Sequence, residues 1–206
     1  MKRSMRYMLA MAFAVAATGA SAFSVSISPG SHAVFLQVGV GSFTGNYATG
    51  GTGGTNATVN KLSVTVPASV VGSGVAQQMT SDSTQSVSFY DGRTFCSPPS
   101  QVYIGGYVRS GNGNPAATLT VTTSAANLTN AAGDTIPFSE VSWTASGIGD
   151  VAQAIPSGSF TGGTQTLANF GVNQWMESCH TFSYANSASV APGTYTGRAT
   201  YTLSEP

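Results

Sequence analysis

The segment Thr194-Tyr195-Thr196-Gly197-Arg198-Ala199-Thr200-Tyr201-Thr202-Leu203 is the most regular in the chain. Tyr195, Gly197, Ala199, Tyr201 and Leu203 fall on one side of a period of two. Thr194, Thr196, Arg198, Thr200 and Thr202 fall on the other. Successive side chains of a β-strand point to opposite faces, so this alternation predicts a strand with one apolar and one polar face. Thr and Tyr suit that conformation. Ala191-Pro192-Gly193 just before it predicts a turn. The apolar face is expected to pack in a core, and the Thr face to meet solvent or a neighbouring subunit.

The same signal recurs along the chain. Phe23, Val25 and Ile27 alternate with serines and stop at Pro29-Gly30. Ala33 to Val40 is a nearly continuous apolar run, expected to be a buried strand. Leu62, Val64 and Val66 alternate with Ser63 and Thr65 before Pro67. Ser86 to Tyr90 is expected to be a strand closed by an Asp91-Gly92 turn. Val102 to Arg109 predicts a strand broken or bulged at Gly105-Gly106. Further strands are expected at Thr118 to Thr123, Ile136 to Trp143, Thr164 to Phe170, Cys179 to Tyr184 and Tyr195 to Leu203. Gly111 to Pro115 predicts a hairpin turn, and Gly41 to Thr58 a long Gly/Thr/Asn loop, a mobile tip or insertion. No segment of 11 or more residues shows good helical apolar spacing. The pattern predicts an all-β fold, an antiparallel β-sandwich, immunoglobulin-like in the broad architectural sense. A jelly roll or barrel is the alternative.

The first 22 residues bear on the compartment. Lys2, Arg3 and Arg6 precede an apolar run from Met8 to Ala17, and small residues follow to Ala20-Ser21-Ala22. This is the pattern of a secretory signal peptide, too short to span a bilayer, with cleavage expected after Ala22. The mature product is then 23–206, a single sandwich domain, secreted or on the cell surface, with the periplasm as a further possibility. No second apolar stretch approaches the length of a membrane span. Beyond the signal, four basic residues (Lys61, Arg93, Arg109, Arg198) face seven acidic ones, a net charge of −3. Ordinary domains are about one-quarter charged, whereas charged residues are 7% of this chain. Four scattered cations exclude nucleic acid as a partner. The surface must be built from Ser, Thr, Asn, Gln and Gly. Such a surface fits a secreted domain facing variable salt, or close self-packing in a fibre. Cys96 and Cys179 are the two cysteines, and export predicts a disulfide between them.

The closing strand, Tyr195 to Leu203 after the Ala191-Pro192-Gly193 turn, resembles that of several bacterial secreted β-sandwich families, including pilus and spore-coat-type subunits. The resemblance covers about a dozen residues. The chain departs from the pilin pattern at Ser204-Glu205-Pro206, where an aromatic terminus is usual, and in the wide separation of its cysteines. No functional residue is carried over from it.

Chemistry-bearing motifs are sparse. Histidine occurs at His32 and His180 only, and no Gly-x-Ser-x-Gly elbow is present. His180 shares a predicted strand face with Phe182 and Tyr184, which reads as packing. Asp91 and Asp134 sit in turn contexts. The glycines of 41–58 lack the Lys-Ser/Thr ending of a phosphate loop, and no Asp-x-Asp-x-Asp calcium run occurs. No catalytic, cofactor-binding or metal residue is assigned, and Asn56-Ala57-Thr58 and Asn127-Leu128-Thr129 are read as chance sequons. Trp143 is expected in the core. Trp175, beside a polar Asn173-Gln174 pair, is expected to be exposed and with Tyr107 to offer a ligand-stacking surface. The leading expectation is a non-enzymatic exported protein, a structural or adhesive subunit of a bacterial surface fibre or coat, with protein partners or self-association. The alternative is a secreted carbohydrate-binding module using exposed Trp and Tyr, with glycans as partners.

Overall fold

A computed structural model describes residues 24–54, 59–111, 116–147 and 153–206. The expected signal peptide, Phe23, the centre of the Gly111–Pro115 turn and the first sequon lie outside these residues. The early strands are β1 (Ser24–Ser26), β2 (Ala33–Val38), β3 (Phe43–Thr44), β4 (Thr52–Gly53), β5 (Leu62–Ser63), β6 (Gln77–Gln78) and β7 (Thr80–Ser81). Then come β8 (Val102–Arg109), β9 (Ala117–Thr123), β10 (Asn127–Thr129), β11 (Thr135–Pro137) and β12 (Val141–Ser146). The chain closes with β13 (Gly158–Ser159), β14 (Thr164–Phe170), β15 (Gln174–Tyr184) and β16 (Ala199–Ser204). The fold is all-β, and among the described residues every pair of these strands is antiparallel, as the alternation predicts.

Two sheets make the sandwich. The larger runs β13-β12-β15-β8-β2, with β1 and β6 also on β15, and the smaller runs β14-β9-β16. Alternation assigns the faces. On β8, Ile104 and Val108 point to the smaller sheet and meet Leu119, Phe170 and Met176. Tyr103 and Tyr107 point the other way, into an aromatic cluster with Phe35, Phe89 and Trp175. The large sheet is thus covered on both faces, by a second sheet on one side and by loops on the other. That is why β8 and the middle of β15 are buried almost without a break.

The disulfide Cys96–Cys179 is present, with Cα atoms 5.5 Å apart. It ties the covering loop to the middle of β15.

Several expectations are corrected. Gly105-Gly106 is no bulge, because β8 pairs in unbroken register with both β2 and β15. A Cβ on Gly106 would lie 2.1 Å from the Phe35 carbonyl oxygen, so the glycine answers a close approach of β2. The N-terminal strand pairs with β15, Val25 opposite Trp175. Leu62 to Val66 is strand only at Leu62–Ser63. Ser86 to Tyr90 is a bridged turn, with Val87 opposite Thr94. The last predicted strand is regular only from Ala199. The described part of Gly41 to Thr58 is no mobile tip. It holds the hairpin β3–β4 and a 3₁₀ turn at Tyr47–Thr49, and Phe43 and Tyr47 pack on the aromatic cluster. Gly53 lets the hairpin lie flat, since a Cβ there would meet the Phe35 ring at 2.6 Å.

Candidate functional site

The face of β8 that carries Tyr103 and Tyr107 continues to Arg109, at the edge of the covering loops. There it opens into a cleft of about 430 Å³, within the range of small-ligand sites. Its rim is built from three places in the chain: the end of β1, the 3₁₀ turn with β4, and the turn at Tyr90. Tyr47, Tyr90, Tyr107 and Arg109 are its chemically distinctive residues.

The rings form a continuous stack. Tyr107 lies on Trp175, centroids 5.4 Å apart and planes 26° off parallel. Tyr47 tilts against Tyr107 at 4.9 Å, and Tyr90 stacks beside Tyr47 at 6.4 Å. Such pairs contribute about 0.5–1.5 kcal/mol beyond area burial, so the floor is rigid. Arg109 completes it. Its Nη1 donates to Tyr47 Oη at 3.1 Å and its Nε to the Ser31 carbonyl at 3.1 Å. Its guanidinium carbon lies 5.9 Å from the Tyr47 and Tyr107 centroids, within cation–π range. Burial raises the Tyr107 phenol above its ordinary value, opposed by Arg109 and reinforced by Tyr47. It therefore stays a neutral hydroxyl near pH 7. The cleft lining holds one cation and no carboxylate, and Arg109 makes no ion pair among the described residues.

Of the two residues expected to stack on a ligand, Tyr107 reaches the cleft and Trp175 does not. Trp175 is completely buried, its faces against Tyr107, Phe35 and Tyr47. Its exposure is corrected: the polar Asn173-Gln174 pair that suggested a loop is where β15 begins, with Gln174 opposite Val108 on one side and Ser26 on the other. The indole N–H is satisfied internally, donating to Glu177 Oε2 at 2.9 Å. Tyr47 and Arg109 were not singled out from sequence. Tyr47 sits among glycines that read as loop, and Arg109 became legible only as the next same-face residue after Tyr103, Gly105 and Tyr107.

His180 is fully buried, stacked on Trp143 with centroids 5.8 Å apart and planes 11° off parallel. Trp143 is in the core, as expected. Among the described residues, no group of three or more His, Cys, Asp or Glu is placed to hold a metal ion. Among them also, no helix is long and apolar enough to cross a membrane.

The second feature is the outer face of the smaller sheet. Thr122, Thr120 and Thr118 of β9 stand opposite Thr164, Thr166 and Asn169 of β14, and opposite Thr200, Thr202 and Ser204 of β16. Nine uncharged hydroxyl or amide side chains thus form a three-by-three array. Neighbouring strands lie about 4.8 Å apart. Thr122 and Thr164 hydroxyls are 2.9 Å apart across it.

Fold and site together define a disulfide-linked, all-β antiparallel sandwich with a tyrosine-rimmed cleft and an array of nine uncharged hydroxyl or amide side chains on its smaller sheet. No family model matches the chain, and neither a curated protein nor a solved structure shows significant similarity to it.

Proposed function

We propose that this chain is an exported, non-enzymatic structural or adhesive subunit of a bacterial surface fibre or coat. The observation that carries the reading is the smaller sheet. Natural monomers guard sheet edges with lysine, proline, inward charges or bulges. The edge strand β16, Ala199–Ser204, contains no charged residue and no proline, and its ladder with β9 runs without a register shift. The opposite edge, β14, is also uncharged and departs from regularity only between Thr166 and Ala168. The uncharged stretch of β16, bracketed by Arg198 before it and Glu205-Pro206 after it, lies beside nine uncharged side chains and favours a second copy of this chain. Pairing β16 of one copy with β14 of the next is heterologous and builds an open fibre, whereas pairing β16 with β16 closes a dimer.

The test is assembly. The mature chain, taken up in concentration, is expected to scatter light progressively and to show filaments by electron microscopy. Placing Lys at both Thr200 and Thr202 puts two edge-guarding cations on the β16 side of every joint, and assembly should stop while the circular dichroism spectrum is kept. A wild-type chain that stays monomeric at high concentration, or a double-lysine variant that assembles like wild type, rejects the proposal.

A second reading, a secreted carbohydrate-binding module, is supported by the cleft. Its aromatic surface is Tyr47 and Tyr90, with the buried Tyr107 and Trp175 as the floor beneath them.

A further inference from the structure

We infer that the cleft is a binding site for an acidic glycan, with Arg109 receiving a sugar carboxylate between Tyr47 and Tyr107. The inference rests on the carbohydrate-binding reading and adds the charge of the ligand and the residue that selects it.

Arg109 carries the argument. A guanidinium has five N–H donors in a planar fork that matches a carboxylate. Two of them are used by Ser31 and Tyr47, and those bonds fix its direction. Arg109 is only half-exposed and lies against two rings. In an ordinary surface a partly desolvated arginine is paired with a carboxylate. Here the nearby acidic side chains are engaged elsewhere. Asp91 accepts from the Arg93 backbone N–H at 3.0 Å and lies 3.5 Å from the Arg93 guanidinium, and Glu177 is sealed beneath Trp175. In a chain with so few charges, a cation in a cleft with no ion pair among the described residues is a preset anion site.

The rest of the lining says what the anion is attached to. Tyr47 and Tyr90, the exposed Ser26, Ser28 and Thr52, and the Gly50-Gly51 backbone offer aromatic contact beside hydrogen bonds. Alternating apolar C–H and polar O–H surface is the signature of a pyranose ring. A uronic acid supplies both parts, its carboxylate to Arg109 and its ring to the tyrosines.

The experiment is calorimetric titration of the mature chain with galacturonic acid oligomers and with neutral galactose oligomers of the same length. Trp175 fluorescence serves as a second readout, since Tyr47 and Tyr107 rest on that indole. Measurements are made at protein concentrations where sedimentation shows a single monomeric species, so self-assembly does not enter. Saturable binding of the acidic oligomer, at least tenfold tighter than the neutral one and weakened by salt, is expected. Arg109→Gln should remove that preference. Because Arg109 also braces Tyr47, a second variant avoids the brace: Thr52→Glu, on the exposed rim, should lower acidic-oligomer affinity at least tenfold with the melting temperature unchanged. Equal binding of both oligomers overturns the assignment to Arg109 and leaves the carbohydrate reading standing. Binding of neither oligomer overturns both. A short peptide whose only carboxylate is terminal, bound as tightly as the uronate, shows that the site reads carboxylates without the sugar, and overturns the glycan assignment.

Discussion

His180 and Glu177 are fully buried ionisable side chains on β15, and burial drives their proton affinities in opposite charge senses. His180 Nε2 lies 3.2 Å from the Ile155 carbonyl oxygen. A carbonyl only accepts, so Nε2 carries the proton. Nδ1 has no hydrogen-bond partner among the described residues, and protonating it would bury an unpaired charge. Desolvation accordingly lowers the His180 pKa from 6.5 to about 4, against a smaller opposing effect of the Ile155 carbonyl. The unfolded chain then binds more protons between those values, so stability is complete above pH 6.5 and lost as pH falls toward 4. The loss is about 3 kcal/mol. Glu177 behaves differently. Burial raises its carboxyl above the ordinary range, opposed by hydrogen bonds from Ser88, Tyr103 and Trp175. The folded state holds that proton more tightly than the unfolded one. Its contribution is therefore full below about pH 4.3 and declines as pH rises through the folded value. Urea titrations across pH 4–8 separate the two. His180→Phe should flatten the acid limb, at the cost of a pH-independent offset from the unpaired Ile155 carbonyl. Glu177→Gln keeps one acceptor oxygen, and Tyr103 and Trp175 both donate to the same atom, Oε2, in wild type; the change should raise stability at pH 7–8 relative to wild type. An unchanged acid limb in His180→Phe would refute the first assignment, and a destabilised Glu177→Gln at pH 8 the second.

β8 shows what period-two reasoning captures at the scale of an element and what it misses. Its span, Val102 to Arg109, was read to the residue. Its two glycines were misread, because sequence shows that a side chain is missing but not what has come close. Here the neighbour is the β2 backbone at Gly106, and Tyr103 Oη with Glu177 Cβ at Gly105. Gly106→Ala should therefore destabilise by about 3 kcal/mol, at the upper end of overpacking costs. Gly163→Ala, where a Cβ would meet nothing within 4 Å, should change stability by less than about 0.5 kcal/mol. Chemical denaturation of the pair checks both. A tolerated Gly106→Ala would mean that β2 can slide off β8. The same limit explains the cleft. Tyr107 was legible as an aromatic on a strand, while Tyr47 and Tyr90 come from turns, brought to it by tertiary packing that no local pattern encodes. β9, by contrast, alternates so cleanly between Thr and Leu or Val that its inner and outer faces were both readable.

The whole molecule has an asymmetric core, and its disulfide sits on the weaker side. One face of the large sheet is covered by β14-β9-β16, whose register is held by two long ladders. The other face is covered by short turns and two-residue strands. Backbone bonds such as Ser88 N–H to Arg93 O, Phe95 N–H to Ser86 O and Tyr47 N–H to Phe89 O tie those turns to one another, and they hold their place on the sheet by inserting Phe43, Tyr47, Phe89 and Phe95 against Tyr103 and Trp175. Cys96 lies in that cover and Cys179 in the strand beneath it. The link closes a separation of 83 residues, for which chain entropy gives a stabilisation of about 4.5 kcal/mol. The consequence of removing it is local as well as global. With both cysteines replaced by Ala, the melting temperature should fall, and amides of the covering turns from Ser86 to Gln101 should lose hydrogen-exchange protection first. The amides of β9 and β16 should open only at the global transition. The order matters for the cleft, because Tyr90 belongs to the cover while Tyr107 and Arg109 belong to β8. A chain without the disulfide should lose the Tyr90 wall of the cleft while keeping its floor, so affinity for an acidic oligomer should fall before any strand content is lost. Uniform loss of protection across both sheets would show instead that the two faces fold as one unit and that the disulfide stabilises the molecule only through its unfolded state.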